Sequence, residues 1–325
     1  MRHHVKPVRA ALAARLLAAG VLALGAPIAR ADPPAPPSAL RAGFCSLMFV
    51  GVNESDARAS LKIWAQTMGR ENDVPVDTEL QIFSGPKDTR EAIESGKVDI
   101  VSTSTIEYWS IRKGLPIADT VVSGTVHGNV GEEYLLLVGS ENPARSLGEL
   151  KGESLAVSGG PSENLSAIWL ETVLLERNLG ASDTFWGQLT FAGKLSRAVL
   201  PVFFGKVDAC VVSSEGYRTM CELNPQIGRR TRILERSPLF IPFSCLFRNN
   251  PMPPFSRKLL AEIGNIAATP SGAQALSLFH IEQMQRLPLA ALDPTCALLD
   301  RHEKLLADLR SRTLAQTAPA QGARE

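Results

Sequence analysis

Residues Gly96-Lys97-Val98-Asp99-Ile100-Val101-Ser102-Thr103-Ser104-Thr105-Ile106-Glu107-Tyr108 align without a gap on Gly205-Lys206-Val207-Asp208-Ala209-Cys210-Val211-Val212-Ser213-Ser214-Glu215-Gly216-Tyr217. A glycine suited to a left-handed helix cap, a short β-rich run, a pair of hydroxyls and a tyrosine recur in register. Each copy reads as the end of one helix, a strand, and the start of the next helix. Open α/β sheets bind ligands beyond the carboxyl ends of their strands. Ser104 and Thr105 in one copy, and Ser213 and Ser214 in the other, stand at that edge. Unpaired N–H groups and the helix dipole favour an anion there. The same hydroxyls also serve as plain N-caps, and it is their duplication that favours a ligand role.

Outward from these copies the chain alternates β-rich runs with helical patterns, the signature of α/β units. In the first half, strands are expected at Leu40–Met48, Thr78–Phe83 and Val98–Ser102, with helices at Ser55–Gly69 and Asp88–Ser95. The second half repeats the plan: strands at Ser154–Ser158, Leu189–Ala192 and Val207–Val212, helices at Ser162–Asn178 and Ser196–Phe204. An apolar run, Leu239–Phe247, precedes two long helices, Ser256–Met284 with a break near Pro270, and Asp293–Thr313. The expected fold is a two-lobe α/β structure, each lobe a mostly parallel sheet flanked by helices, with a ligand cleft between lobes. Lobe one takes residues 39–126 and 240–312, lobe two takes 127–239, and 313–325 form a disordered tail.

The amino terminus reads as an export signal over residues 1–31. Arg2, Lys6 and Arg9 precede the apolar run Leu16–Ala26, and Ala29-Arg30-Ala31 fits a small-x-small cleavage site after Ala31, giving a periplasmic protein. Residues 32–38, with four prolines, form a tether. The leader accounts for the overall charge of +1; the rest of the chain holds 29 basic and 33 acidic residues, a net −4. Such a chain lacks the basic stripe of a nucleic-acid binder. Its five cysteines, Cys45, Cys210, Cys221, Cys245 and Cys296, show no zinc spacing and no obvious pairing.

These motifs resemble the phosphate, phosphite and phosphonate substrate-binding proteins of ABC importers, of the type II periplasmic-binding fold. The resemblance covers about Leu40 to Leu287 and rests on Gly96–Tyr108, on Ser146–Gly152 and on Gly205–Ser214. It implies a monomer that holds a small anionic ligand and hands it to a membrane permease, with no cofactor and no catalysis. Ser104 and Tyr108 match the family's small-polar and tyrosine pattern, and Ser162 falls in its Ser/Thr/Gly-rich loop. Glu163 and Leu165 replace residues that would cradle phosphonate oxygens, and a carboxylate repels a phosphonate. Lys194 stands where the family often has Ser-His, as a point charge for an anion or as a solvated lysine. Glu215 stands near the acidic position that holds an amine, or caps Arg218.

No Walker A loop, GxGxxG, HExxH, EF-hand or GxSxG element occurs. The candidate ligand residues are Ser104, Thr105, Tyr108, Ser162, Asn164, Lys194, Ser213 and Glu215, with Ser46 and Ser84 at the ends of the first two strands. His127 lies near the expected hinge, and Trp109 beside Tyr108 is the tryptophan nearest the cleft. Two other readings stay open on the same fold, a sensory module for a membrane kinase and an enzyme.

Overall fold

The computed structural model describes residues 39–317 apart from 50–52, 72–74, 78, 162–163, 250–257 and 259. The export signal, the tether and Ser162 therefore lie outside the described residues. Eleven strands are described: β1 (Ala42–Cys45), β2 (Gln81–Phe83), β3 (Ile100–Ser104), β4 (Ile117–Thr125), β5 (Tyr134–Gly139), β6 (Ser154–Ser158), β7 (Gln188–Ala192), β8 (Ala209–Ser213), β9 (Thr231–Arg236), β10 (Phe243–Arg248) and β11 (Gln283–Pro288). They form two sheets, ordered β11-β4-β10-β3-β1-β2 and β7-β6-β8-β5-β9. The helices are α1 (Glu54–Glu71), α2 (Pro86–Glu94), α3 (Thr105–Ile111), α4 (Leu165–Glu176), α5 (Ser182–Phe185), α6 (Leu195–Phe203), α7 (Ser214–Leu223), α8 (Pro225–Arg230), α9 (Pro270–Leu278) and α10 (Asp293–Thr317).

The duplicated motif builds the same unit twice. In the first sheet β2, β1 and β3 run parallel, and in the second so do β7, β6 and β8. Gly96 and Gly205, at φ of 70° and 65°, take the left-handed conformation that ends the helix before each third strand. The remaining strands are antiparallel to their neighbours, so each parallel trio continues into an antiparallel flank. The cause is the route of the chain. Strands β5 and β10 enter their sheets from the interlobe side, at the carboxyl ends of the parallel trio, and so must run the other way.

Strand β5 shows what holds the second sheet. Leu135, Leu136, Leu137 and Val138 are all 2% exposed or less, Leu136 and Val138 packing into one cluster and Leu135 and Leu137 into another. Both faces of the sheet are covered, which is why the run is continuously apolar. Each such leucine contributes about 1.5–3 kcal/mol relative to exposure. In the first sheet α2 opens on Gly85 and Pro86, a proline at the first helical position where its missing N–H costs nothing, and buries Thr89, Ala92 and Ile93.

Two expectations fail near the carboxyl end. The helix expected through Met284 stops at Leu278, and Gln283–Pro288 is instead the edge strand β11, paired antiparallel with β4. Helix α10, expected wholly with lobe one, packs on both α3 and α4. Leu292, just before it, and its Cys296 join the core under the first sheet, while Leu298 and Leu299 join the core with Trp169 and Leu170. All five cysteines are free thiols, and burial pushes Cys45 up to about 12.

Candidate functional site

The chain crosses between sheets through residues 126–133 and again through 237–242, and the crossings pair at Glu132 and Phe240 through two hydrogen bonds of 2.8 and 2.9 Å. Each crossing is anchored at the start of a helix. The Ser214 N–H at the head of α7 donates to the Glu133 carbonyl at 2.7 Å, and the Thr105 N–H at the head of α3 donates to Pro242 at 2.8 Å. The Thr105 hydroxyl, fully buried, donates to the Ile241 carbonyl at 2.5 Å. Thr105 is therefore bonded into the second crossing and lines neither cleft cavity described below.

Between the crossings and the carboxyl ends of the parallel strands lie two cavities, of about 580 and 260 Å³. They share Glu132, Ser213, Pro242 and Phe243 as walls. The smaller one gathers Ser104, Asn164 and Ser213, the N-caps of α3, α4 and α7. These come from the ends of β3, the β6 loop and β8, so the expected edge of both sheets is the wall of one cavity. Their side chains are already bonded: Ser104 accepts from the Glu107 N–H at 3.0 Å, and Ser213 from the Gly216 N–H at 3.3 Å. Asn164 accepts from Ser166 and Ala167 and donates to the Ser158 and Gly160 carbonyls.

The larger cavity takes in Glu215, which is held by Arg218 at 2.6 Å and by His127 Nδ1 at 3.1 Å. The other expected residues are elsewhere. Tyr108 is buried in the core beneath the first sheet, where burial raises its pKa. Its neighbour Trp109 donates to Asp300 on α10 at 2.8 Å rather than facing the cleft. Lys194 is exposed at the head of α6, on the wall of neither cavity. Ser84 donates to Asp88 at 2.8 Å, and Ser46, itself exposed, opens a 3-10 turn; neither lines a cleft cavity.

Glu132 and Phe243 are the walls that sequence reasoning missed. The Glu132 side chain is open to the cavity yet enclosed by protein, which pushes its pKa up; the neighbouring Tyr134 hydroxyl partly offsets that rise. No Lys or Arg is among the described residues lining either cavity. No group of His, Cys, Asp and Glu suited to a metal is found among the described residues, and no described helix is long and apolar enough to cross a membrane.

A family model described as the periplasmic substrate-binding protein of phosphonate ABC transporters matches residues 50–289. No curated protein sequence matches the chain. Among solved structures, a Xanthomonas citri protein bound to ATP aligns with a TM-score of 0.59 at 17% identity, covering 82% of this chain and 98% of that one. A binding-protein component of a Pseudomonas aeruginosa ABC phosphonate transporter aligns with a TM-score of 0.53 at 15% identity, covering 83% and 88%. PhnD1 of Prochlorococcus marinus in complex with methylphosphonate aligns with a TM-score of 0.53 at 13% identity, covering 85% and 99%. At these identities the structural likeness speaks for the fold.

Proposed function

This chain belongs to the family of periplasmic substrate-binding proteins of phosphonate ABC transporters, and from that premise we propose that it captures a small oxyanion-bearing ligand in the interlobe cleft and delivers it to an ABC permease. The observation that carries the reading is the meeting of three helix starts, capped by Ser104, Asn164 and Ser213, on one cavity of about 260 Å³. Helix starts present N–H groups and the positive ends of their dipoles, which together favour an oxyanion without any lysine or arginine. Residues from both sheets contribute, so the ligand gains its full set of contacts only when the two lobes approach, and that difference in contact is what drives closure. The lobes divide at the two crossings, near residues 126 and 240, with α10 spanning them. Cleavage after Ala31 and action in the periplasm as a monomer complete the proposal.

The test is titration of the mature chain with methylphosphonate, methanesulfonate and phosphate, followed by calorimetry and thermal unfolding. At about 100 times the dissociation constant, a ligand of the folded state adds roughly 2.7 kcal/mol to stability. Small-angle scattering should show a smaller radius of gyration with ligand. If none of the three oxyanions binds while uncharged analogues do, the oxyanion reading is wrong.

A further inference from the structure

Behind the cleft, between the first sheet and helices α1 and α9, lies a third cavity of about 140 Å³ whose lining is almost wholly apolar. Leu61 and Ala65 of α1, Ile100 of β3, Phe247 of β10 and Ala275 and Leu276 of α9 are among its walls. Close-packed interiors hold few voids larger than a water molecule, so a chamber of this size is unusual in a core. Its front wall is the back wall of the cleft: Met48, Phe243, Phe279 and Ile281 line both spaces. Phe243 lines all three cavities, which places one aromatic side chain between the helix starts, the open cleft and the chamber. The wall is built tight at Gly124, where a Cβ would come within 2.7 Å of Ile281 Cδ1. One feature is polar: the Ser244 hydroxyl, on a residue only 3% exposed, lines the chamber and has no hydrogen-bond partner among the described residues. A buried hydroxyl is costly to leave unpaired, so its position marks where a ligand atom would meet it.

We propose that this chamber receives the apolar branch of the ligand while the oxyanion sits at the helix starts, with Phe243 as the gate between them. A cavity of about 150 Å³ lined by aliphatic and aromatic side chains binds benzene, so the chamber accepts a branch of about that size. The ligand class is then an amphiphilic organic acid, a phosphonate, sulfonate or carboxylate with an alkyl or aryl substituent, rather than a compact oxyanion such as phosphate. This inference rests on the oxyanion reading for the head of the ligand, and its own content is the tail.

Two measurements separate the parts. Calorimetric titration with phenylphosphonate and methylphosphonate compares tails on one head group, and phenylphosphonate is expected to bind at least tenfold more tightly. Ala275→Leu fills the chamber, and the ratio of the two affinities should fall toward one. In the second measurement, fluorobenzene, which has no head group, is followed by fluorine NMR with the unmodified protein; saturable binding displaced by phenylphosphonate but not by phosphate is expected. This second arm needs no variant, so it decides the matter even if Ala275→Leu fails to fold. Equal affinities for both phosphonates together with no saturable fluorobenzene binding overturn the tail chamber and leave the oxyanion reading standing. Saturable fluorobenzene with no binding of either phosphonate supports the chamber as a binding site and sinks the oxyanion reading instead.

Discussion

The backbone N–H of Arg41 donates to the carboxylate of Asp99 at 3.1 Å. The second copy repeats the contact, the Ser154 N–H donating to Asp208 at 2.9 Å. Each repeated aspartate thus ties the amino end of its sheet's first parallel strand to the loop before the third, at the end of the sheet remote from the cleft. One half of the duplicated motif holds the sheets together, and the other half, Ser104 and Ser213, faces the cavity.

Replacing Asp99 by Asn tests the structural half. The carboxylate is fully buried and bonded to Arg41 at 2.9 Å and Arg248 at 3.1 Å. Removing one partner of a buried pair costs about 3–5 kcal/mol, and the part-exposed Arg41 places this case near the lower figure. Burial alone pushes the Asp99 pKa up, but the hydrogen bonds from Arg41 and Arg248 outweigh it and hold the carboxyl below its ordinary value. A depressed pKa gives stability that is present above the unfolded value of about 3.9 and lost as pH falls through the folded value. Urea unfolding should show a large deficit for the variant at neutral pH that shrinks on acidification below that value. A constant deficit would assign the loss to packing.

Glu132→Gln moves stability the opposite way. With its pKa raised, the Glu132 carboxyl favours folding fully only below the unfolded value of about 4.3, and that contribution is lost as pH rises through the raised folded value. The glutamine variant should therefore melt higher than the parent at pH 7, and the gain should vanish near pH 4. Removing a negative charge from the wall shared by both cavities should also tighten methylphosphonate binding. A variant that binds it more weakly would show that Glu132 itself contacts the ligand.

The hydroxyl caps carry two roles at once, which Ser104→Ala and Ser213→Ala can measure together. Loss of an N-cap costs about 1 kcal/mol of stability, and the shorter bond at Ser104 predicts the larger loss there. Oxyanion affinity should fall as well in both variants. If calorimetry finds wild-type affinity while the melting points drop, the serines are caps alone.

Thr105→Val keeps shape and removes the hydroxyl that holds the second crossing. The Ile241 carbonyl loses its 2.5 Å donor and retains only a 3.5 Å contact from Thr295. Leaving a buried acceptor under-satisfied costs about 1–3 kcal/mol, read as an earlier midpoint in urea. A midpoint within error of the parent would place the anchoring in the Thr105 N–H alone.

The parallel trios were legible because they are local. Strand β6 is read to the residue, Ser154–Ser158, since an apolar run stands between Gly152 and Gly159. Strand β11 was not, because Ile281, Met284 and Leu287 fall at helical spacing and only the distant pairing with β4 turns Gln283–Pro288 into an edge strand. The site divides on the same principle. Ser104, Asn164 and Ser213 follow from strand-to-helix junctions visible in the chain, whereas Glu132 and Phe243 become cavity walls only because the two crossings pair at Glu132 and Phe240. Without that pairing Glu132 reads as one more loop carboxylate and Phe243 as one more strand apolar residue.

Helix α10 gives the molecule an order of assembly. Leu292 and Cys296 complete one core, and Leu298 and Leu299, a turn further on, complete the other. Both cores wait for the same late stretch of chain, so a nascent polypeptide that has emerged only as far as β11 holds two unfinished halves and neither lobe matures first. Domains ordinarily fold as units from the amino end during synthesis; here a truncation before Leu289 removes packing from both cores at once.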